Sequence, residues 1–437
     1  MTIQTTGFNK GQSDPVWDGQ VDIGLKIDSF APVRENHPPP GVMPDELLPE
    51  GVKKPKLFTS VSMPKSSGGL TVKNRVIVSP MCQYSARDGL PSPYHLAHLG
   101  SFALHGVGTI MVEASGVVPE GRITPQCLGI WNEEQKRAHA SLVSGLKSFT
   151  DGLTVGIQLA HAGRKASAWS PFYRGERSNK VWVTREEGGW PDTVVAPSAI
   201  AYGEGWITPK ELDLEGIKRI EEAFVDSARR AFEAGYDFVE LHAAHGYLFH
   251  SFLSPLSNHR TDEYGGNLEN RARILTDCVK RIRSNHPDKS VWVRVSTTDF
   301  AEDCGSPSWK IQDSVQLAKL LDQAGIDLLD CSAGGLVPFQ KIQPGPGYQL
   351  PGARAVSKLG LAKLLVGAVG MMEGPEGEPG TLAERSIQEG DCDVVLLARG
   401  IMANPKWVEE VAIHLTGTRC SGNPQYHRVH PAKRKEL

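Results

Sequence analysis

Hydrophobic positions along this chain fall into two alternating kinds of run. Short apolar segments rich in β-branched residues recur at 76–78, 109–112, 155–157, 236–241, 291–296, 328–331, 364–369 and 394–397. Runs of this length without polar alternation read as strands buried on both faces. Longer segments between them carry apolar residues three and four apart. Asp213 is placed to cap one of these, in which Ile217, Ile220, Phe224 and Ala228 share a face before Gly235 ends it, and residues 267–282 and 313–325 repeat the pattern. Strands alternating with helices predict parallel βα units, and closure into a single (β/α)8 barrel, an α/β fold of the TIM type, is the economical arrangement. An open doubly wound sheet is the alternative, but no Gly-x-Gly-x-x-Gly follows the first strand.

Two regions break this rhythm. Residues 1–55 are rich in Pro, Gly, Asp and Lys, include Pro38-Pro-Pro40 and hold no sustained period, so they predict an irregular N-terminal extension. The barrel would then occupy 56–418, followed by a tail at 419–437. Between Ala160 and Asp213 the chain carries Trp169, Trp182, Trp190 and Trp206 among glycines, prolines and charges. So long a connection after the third strand predicts an excursion across the barrel mouth that forms part of a substrate pocket.

Composition narrows the class. With 40% hydrophobic and 22% charged residues, the 437-residue chain reads as a soluble globular protein. A formal charge of −3 argues against a nucleic-acid partner, and the short basic patches Lys53-Lys-Pro-Lys56 and Lys433-Arg-Lys435 read as solvated tails. No apolar run approaches the roughly 18 residues of a membrane span. The first residues lack a signal peptide's basic start and apolar segment, and the final Lys435-Glu-Leu437 is no peroxisomal address. Seven cysteines without a Cys-x-x-Cys pair argue against a disulfide framework or zinc ribbon. The expectation is a cytoplasmic protein without membrane or nucleic-acid partners.

Candidate chemistry gathers where strands end, because in a barrel those residues meet at one rim. The fourth apolar run leads into Glu240-Leu-His242-Ala-Ala-His245-Gly-Tyr247. Two imidazole N–H groups can hold a carbonyl or phenolate oxygen, and a neighbouring phenol can donate a proton. A polar strand end meeting solvent is the plainer alternative, and a zinc site lacks a third ligand at suitable spacing. In the fifth run Arg294 lies among Val-Trp-Val and Val-Ser, a costly position unless an internal carboxylate or an anionic ligand pairs with it.

The stretch His242-Ala-Ala-His245-Gly-Tyr247, followed by Ser254-Pro-Leu-Ser-Asn-His-Arg-Thr-Asp-Glu-Tyr-Gly-Gly266-Asn, resembles the signature of the old yellow enzymes. These are FMN-dependent ene-reductases built on one eight-fold barrel. Pro80-Met81-Cys82-Gln83-Tyr84 and Gln158-Leu-Ala-His-Ala-Gly-Arg164 extend the resemblance, which covers about 57–428. Pro-Met-Cys-x-Tyr together with His-x-x-His is similar to the cysteine-bearing subclass, class III or thermophilic-like.

The resemblance implies roles for particular residues. Pro80, Met81 and Cys82 would adjoin the flavin, with Cys82 tuning its potential. Ala114 would admit the ring, Gln158 would bond its pyrimidine edge, and Arg294 would stabilise the anion of the reduced form. Gly370, Ala398 and Arg399 would hold the phosphate. His242, beside the flavin, and His245 would bind the substrate's oxygen, and Tyr84 would contact substrate. Tyr247 would protonate the α-carbon of an alkene conjugated to a carbonyl or nitro group, while flavin N5 delivers hydride to the β-carbon. NADPH or NADH would renew the reductant. Arg428 would reach a neighbouring subunit's site in a homodimer or larger homo-oligomer. Most relatives have Gly-Arg where this chain has Ala398-Arg399, and Glu373-Gly-Pro-Glu-Gly-Glu-Pro-Gly380 is longer and more acidic than usual, which would weaken phosphate binding. Two rivals are a dienoyl-CoA-type reductase, which needs a cysteine cluster where only Cys420 lies, and a flavin-free barrel serving as a scaffold.

Overall fold

Eight parallel strands close into a barrel in chain order: β1 (Val76–Val78), β2 (Thr109–Gly116), β3 (Thr154–Ala160), β4 (Phe238–Ala243), β5 (Ser290–Ser296), β6 (Leu328–Ser332), β7 (Leu365–Ala368) and β8 (Val394–Leu397), which pairs back onto β1. The computed structural model describes residues 38–63, 69–173, 181–426 and 428. The alternation of strands and helices therefore produces the closed sheet rather than the open one.

Each strand divides its side chains between two surroundings, because successive residues point to opposite faces. Val291, Val293 and Val295 of β5 face outward and join the main core beneath the helices, as do Val239 and Leu241 of β4. The alternate residues point into the barrel. At its N-terminal end Ile77, Met111, Phe238, Trp292, Leu328, Val394 and Leu396 form one apolar cluster. The hairpin of Val61–Ser62 and Thr71–Val72 closes this end, with Met63 and Val72 packed into the same cluster. The Phe238 and Trp292 rings stack 3.6 Å apart, filling the space opposite Gly156, where a Cβ would lie 2.1 Å from the Phe238 ring. The floor is thus a packed plug, in which Trp292 Nε1 donates to Ser290 Oγ at 2.9 Å, and the charged groups of the interior lie in the layers above it.

Helix boundaries follow local capping chemistry. The Asp213 carboxylate accepts from Gly216 N at 2.7 Å and starts the helix Leu214–Glu233, which gives way to Gly235 at φ +95°. Asn267 likewise accepts from Asn270 N at 2.9 Å and starts Leu268–Asn285. The third periodic segment begins two residues before Asp313, as Ile311–Ala324, and the Asp313 side chain accepts from Lys310 N at 3.0 Å.

One expectation needs correction. Strands β2 and β3 continue past the positions where their apolar runs stop, so Ala114 and Gln158 lie within strands rather than after them. Polar residues persist there because they find partners inside the barrel. His242 similarly lies within β4. The described part of the N-terminal extension also has defined structure: Gly41 N donates to Ser421 O at 2.8 Å and Ser421 N to Val42 O at 2.7 Å, so residues 38–43 seal the barrel base against the C-terminal segment. The first 37 residues of the extension, the tail beyond 428 with Lys433-Arg-Lys435, and residues 174–180 of the long excursion lie outside the described residues. Among those described, no helix is long and apolar enough to cross a membrane.

Candidate active site

Strand β4 delivers His242 into the barrel mouth, and the chain then turns through two left-handed residues, His245 at φ +58° and Gly246 at φ +74°. A Cβ on Gly246 would sit 2.3 Å from Gly335 O, so that position accepts only glycine. Surrounding groups brace the turn. His245 N donates to Ser296 Oγ at 2.9 Å, and Gly246 N donates to His250 Nδ1 at 3.0 Å. An accepting Nδ1 places the ring proton on Nε2, 3.0 Å from Asp299 Oδ1, with both side chains fully buried. Asp299 Oδ2 in turn accepts from Ser254 Oγ at 2.7 Å and Trp309 N at 2.9 Å. Held this way, the His242 ring meets His245 and Tyr247 edge-on, with centroids 5.1 and 4.9 Å away.

Burial sets the protonation of this cluster. It pushes the Tyr247 phenol well above its usual value, helped by Cys82 and Tyr84, so the hydroxyl keeps its proton. Burial also drives His242 and His245 well below the usual histidine range; for His242 the Arg294 charge adds to this, and for His245 the His242 ring does so ahead of Arg294. Both imidazoles are neutral, each with one N–H. Ser332 Oγ donates to Gln349 Oε1 at 2.9 Å, so the 2.7 Å contact between His245 Nε2 and Ser332 Oγ must use the His245 proton. One of the two predicted oxygen-binding donors is therefore engaged within the protein. Nδ1 of His242 is buried without a partner. The excursion after β3 adds a cation: Lys165 Nζ bonds to His245 O at 2.9 Å and Gly335 O at 3.0 Å, 5.3 Å from the Tyr247 ring centroid.

Below the cluster lies a layer of inward-facing polar side chains. Gln158 Nε2 donates to Glu240 Oε1 at 2.7 Å, and Arg294 Nε approaches Asp330 Oδ2 at 2.8 Å. Burial, then the Asp330 charge, pushes Glu240 far above the carboxylate range, while burial raises Asp330 to about 6 against the pull of Arg294. At neutral pH the layer thus holds Arg294 as a cation, Asp330 as its counter-ion and Glu240 as a neutral acid. The internal carboxylate considered for Arg294 exists, yet Arg294 also lines a cavity of about 220 Å³ at the barrel mouth.

That cavity brings together Pro80, His245, Arg294, Gly370, Ala398 and Arg399 from five strand ends. Gly370 adopts φ +111°, and a Cβ there would lie 2.9 Å from Gln349 Cγ. Ala398, with φ −119° and ψ −100°, requires no left-handed backbone. Of the acidic loop, Glu373 lines the cavity. The polar groups suit FMN: a guanidinium for an anionic ring edge, a glutamine amide, Arg399 for phosphate, and, among the described residues, Glu240 Oε2, Asp330 Oδ1 and His242 Nδ1 buried without hydrogen-bond partners.

The remaining predicted residues are not among those that line this cavity. The Cys82 thiol rests against Cys127 and the Ala114 N–H, and Tyr84 meets the Phe172 ring at 5.9 Å. Met81 packs against the outer core. Arg428 is exposed, two residues beyond Tyr426, whose ring stacks on His105 at the base of the barrel. It therefore does not join the site of its own chain. Sequence reasoning missed Asp330, Ser332, Lys165, Cys127 and the His250–Asp299 pair. Asp330 had a legible signal, since it interrupts the apolar run Leu328-Leu-Asp-Cys331 as Arg294 interrupts its own. Nothing local marks the others.

Residues 57–417 match the NADH:flavin oxidoreductase / NADH oxidase family. The chain is 42% identical over 367 residues to an NADH:flavin oxidoreductase of Gibberella zeae, covering 82% of this chain and 86% of that protein. It is 40% identical over 375 residues to the NADPH dehydrogenase of Bacillus subtilis, covering 85% and 98%. Morphinone reductase superposes with a TM-score of 0.64 at 25% identity, over 86% of this chain and 93% of that one. The chain belongs to the NADH:flavin oxidoreductase / NADH oxidase family, that of the old yellow enzymes, and is an NAD(P)H-dependent oxidoreductase that uses FMN.

Proposed function

We propose that the protein is an ene-reductase of the cysteine-bearing subclass, acting on small molecules whose C=C bond is conjugated to a carbonyl or nitro group. The observation that carries this reading is the Tyr247 hydroxyl, kept protonated by burial and set against the neutral ring of His242. A general acid must hold its proton until the acceptor develops basicity, and a phenol pushed upward does so across the whole working range. His242 binds the substrate oxygen through its N–H, and His245 joins it by turning its Nε2 proton away from Ser332. Withdrawing charge onto that oxygen makes the β-carbon electrophilic, and Tyr247 then protonates the α-carbon. When bound, FMN supplies the hydride that the nicotinamide renews. Arg294, Gln158, Pro80, Met81, Cys82 and Ala114 adjoin the ring, and Gly370, Ala398 and Arg399 the phosphate. Tyr84 borders the substrate. Arg428, remote from its own mouth, serves a neighbouring subunit's site in a homo-oligomer.

Tyr247→Phe tests the assignment, because it removes one oxygen and keeps the ring contacts. Stopped-flow measurement should show cyclohexenone reduction slowed by about 10²–10⁴, with reduction of the enzyme by NADPH unchanged. Equal losses in both half-reactions would remove Tyr247 from the role of acid.

A further inference from the structure

Cys127 takes no part in the reaction above, yet it is the one side chain that touches the Cys82 sulfur with a second thiol. The two residues are 45 positions apart, and backbone bonds hold their segments side by side. Ala86 N donates to Gln126 O at 3.0 Å, and Gly129 N donates to Gly89 O at 2.9 Å. The Cys127 sulfur is buried and accepts from Thr124 N at 3.3 Å, with Thr124 Oγ1 at 3.4 Å. Cys82 is half-buried. We propose that Cys82 and Cys127 form a dithiol–disulfide site at the barrel mouth, oxidised by hydrogen peroxide.

The surroundings support a thiolate there. Burial opposes ionisation of Cys127, but the Cys82 thiol and both Thr124 donors overcome it and bring Cys127 to about 7. Cys82 is pushed up, first by its hydrogen bond to Cys127 and then by burial. The two shifts have opposite directions because each thiol acts on the other, so the thiolate belongs to the pair. The buried Cys278, Cys331, Cys392 and Cys420 are all held well above the usual thiol value by burial, and Cys304 is exposed on the loop after β5. Reactivity should follow thiolate character and contact, and both select this pair.

The chemistry balances without any bound group. A thiolate of the pair attacks one peroxide oxygen, the O–O bond breaks, and the departing oxygen leaves as water after taking a proton. The second sulfur displaces hydroxide from the resulting S–OH, forming the S–S bond and a second water. Two S–H groups are oxidised and one peroxide is reduced. The disulfide removes the Cys82 S–H and ties the loop after β1 to the segment after β2.

Limited hydrogen peroxide added to the purified holoenzyme tests this. Thiols counted in denaturant should fall by two from the seven present, with Cys82 and Cys127 recovered in one cross-linked peptide pair. Dithiothreitol should restore the full count, and Cys127→Ser should lose no thiol at the same dose. Oxidation of Cys304 with both other thiols intact, or Cys82 running to sulfinic acid without a cross-link, would overturn the proposal. The count needs no turnover, so it is decided separately from the alkene-reductase reading.

Discussion

Acidification should destabilise the native state through individual buried histidines, and His139 offers the cleanest case. It lies on the buried face of the helix Glu133–Phe149, with Nε2 3.1 Å from Gly129 O and Nδ1 2.7 Å from Tyr236 Oη. A carbonyl only accepts, so Nε2 carries the proton and Nδ1 accepts from the tyrosine hydroxyl. Charging the ring would place a second N–H against that hydroxyl in a fully buried site. Burial accordingly lowers His139 to about 4 from the ordinary 6.5. Below pH 6.5 the unfolded chain takes up a proton that the native chain refuses until about 4. The stability linked to this group is therefore complete above 6.5, is lost as pH falls through that window, and is level below it. At pH 5 the deficit is about 1.5 pH units, or roughly 2 kcal/mol. His95 and His161, also near 4, act in the same direction. Glu113 acts oppositely: burial raises it to about 8, so the native state keeps a proton that the unfolded chain releases, and stability from this group grows as pH falls from 8 towards 4.5. The total profile mixes these signs, but the difference between the parent and His139→Gln isolates one of them, because an amide can keep both hydrogen bonds and does not titrate. Urea unfolding followed by tryptophan fluorescence at pH 7 and pH 5 should show the parent losing about 2 kcal/mol more than the variant between the two. Equal losses in both proteins would refute the reasoning.

Two further outcomes concern the barrel interior. Asp330→Asn leaves Arg294 as a buried cation without its counter-ion, and urea unfolding should show a loss of about 3–5 kcal/mol; a loss under about 1 kcal/mol would mean that water already solvates Arg294. Gly156→Ala places a methyl 2.1 Å from the Phe238 ring within the stacked plug, so about 1–3 kcal/mol should be lost by overpacking, and unchanged thermal stability would show that the Phe238 and Trp292 stack can yield.

The sequence by itself determined the architecture. Apolar runs such as 291–293 and 394–397 are satisfied by strands covered on both faces, and periodic helices between them make a closed parallel barrel the economical solution. It also determined where two helices start, since Asp213 and Asn267 each cap through an amide three residues on. The His242, His245 and Tyr247 cluster was legible for the same reason: a strand and its following turn lie within six residues. Strand lengths were not legible, because Glu113, Gln158 and His242 end an apolar run while continuing a strand, their partners being Gln83 N, Glu240 and the rings of the next turn. Only the tertiary structure decided that Arg294 meets Asp330, that His245 gives its proton to Ser332, and that Cys127 lies against Cys82. Each pair joins residues 36 to 87 positions apart. Such pairings depend on barrel register, which sets which inward-facing side chains share a level, and no local spacing along the chain encodes it.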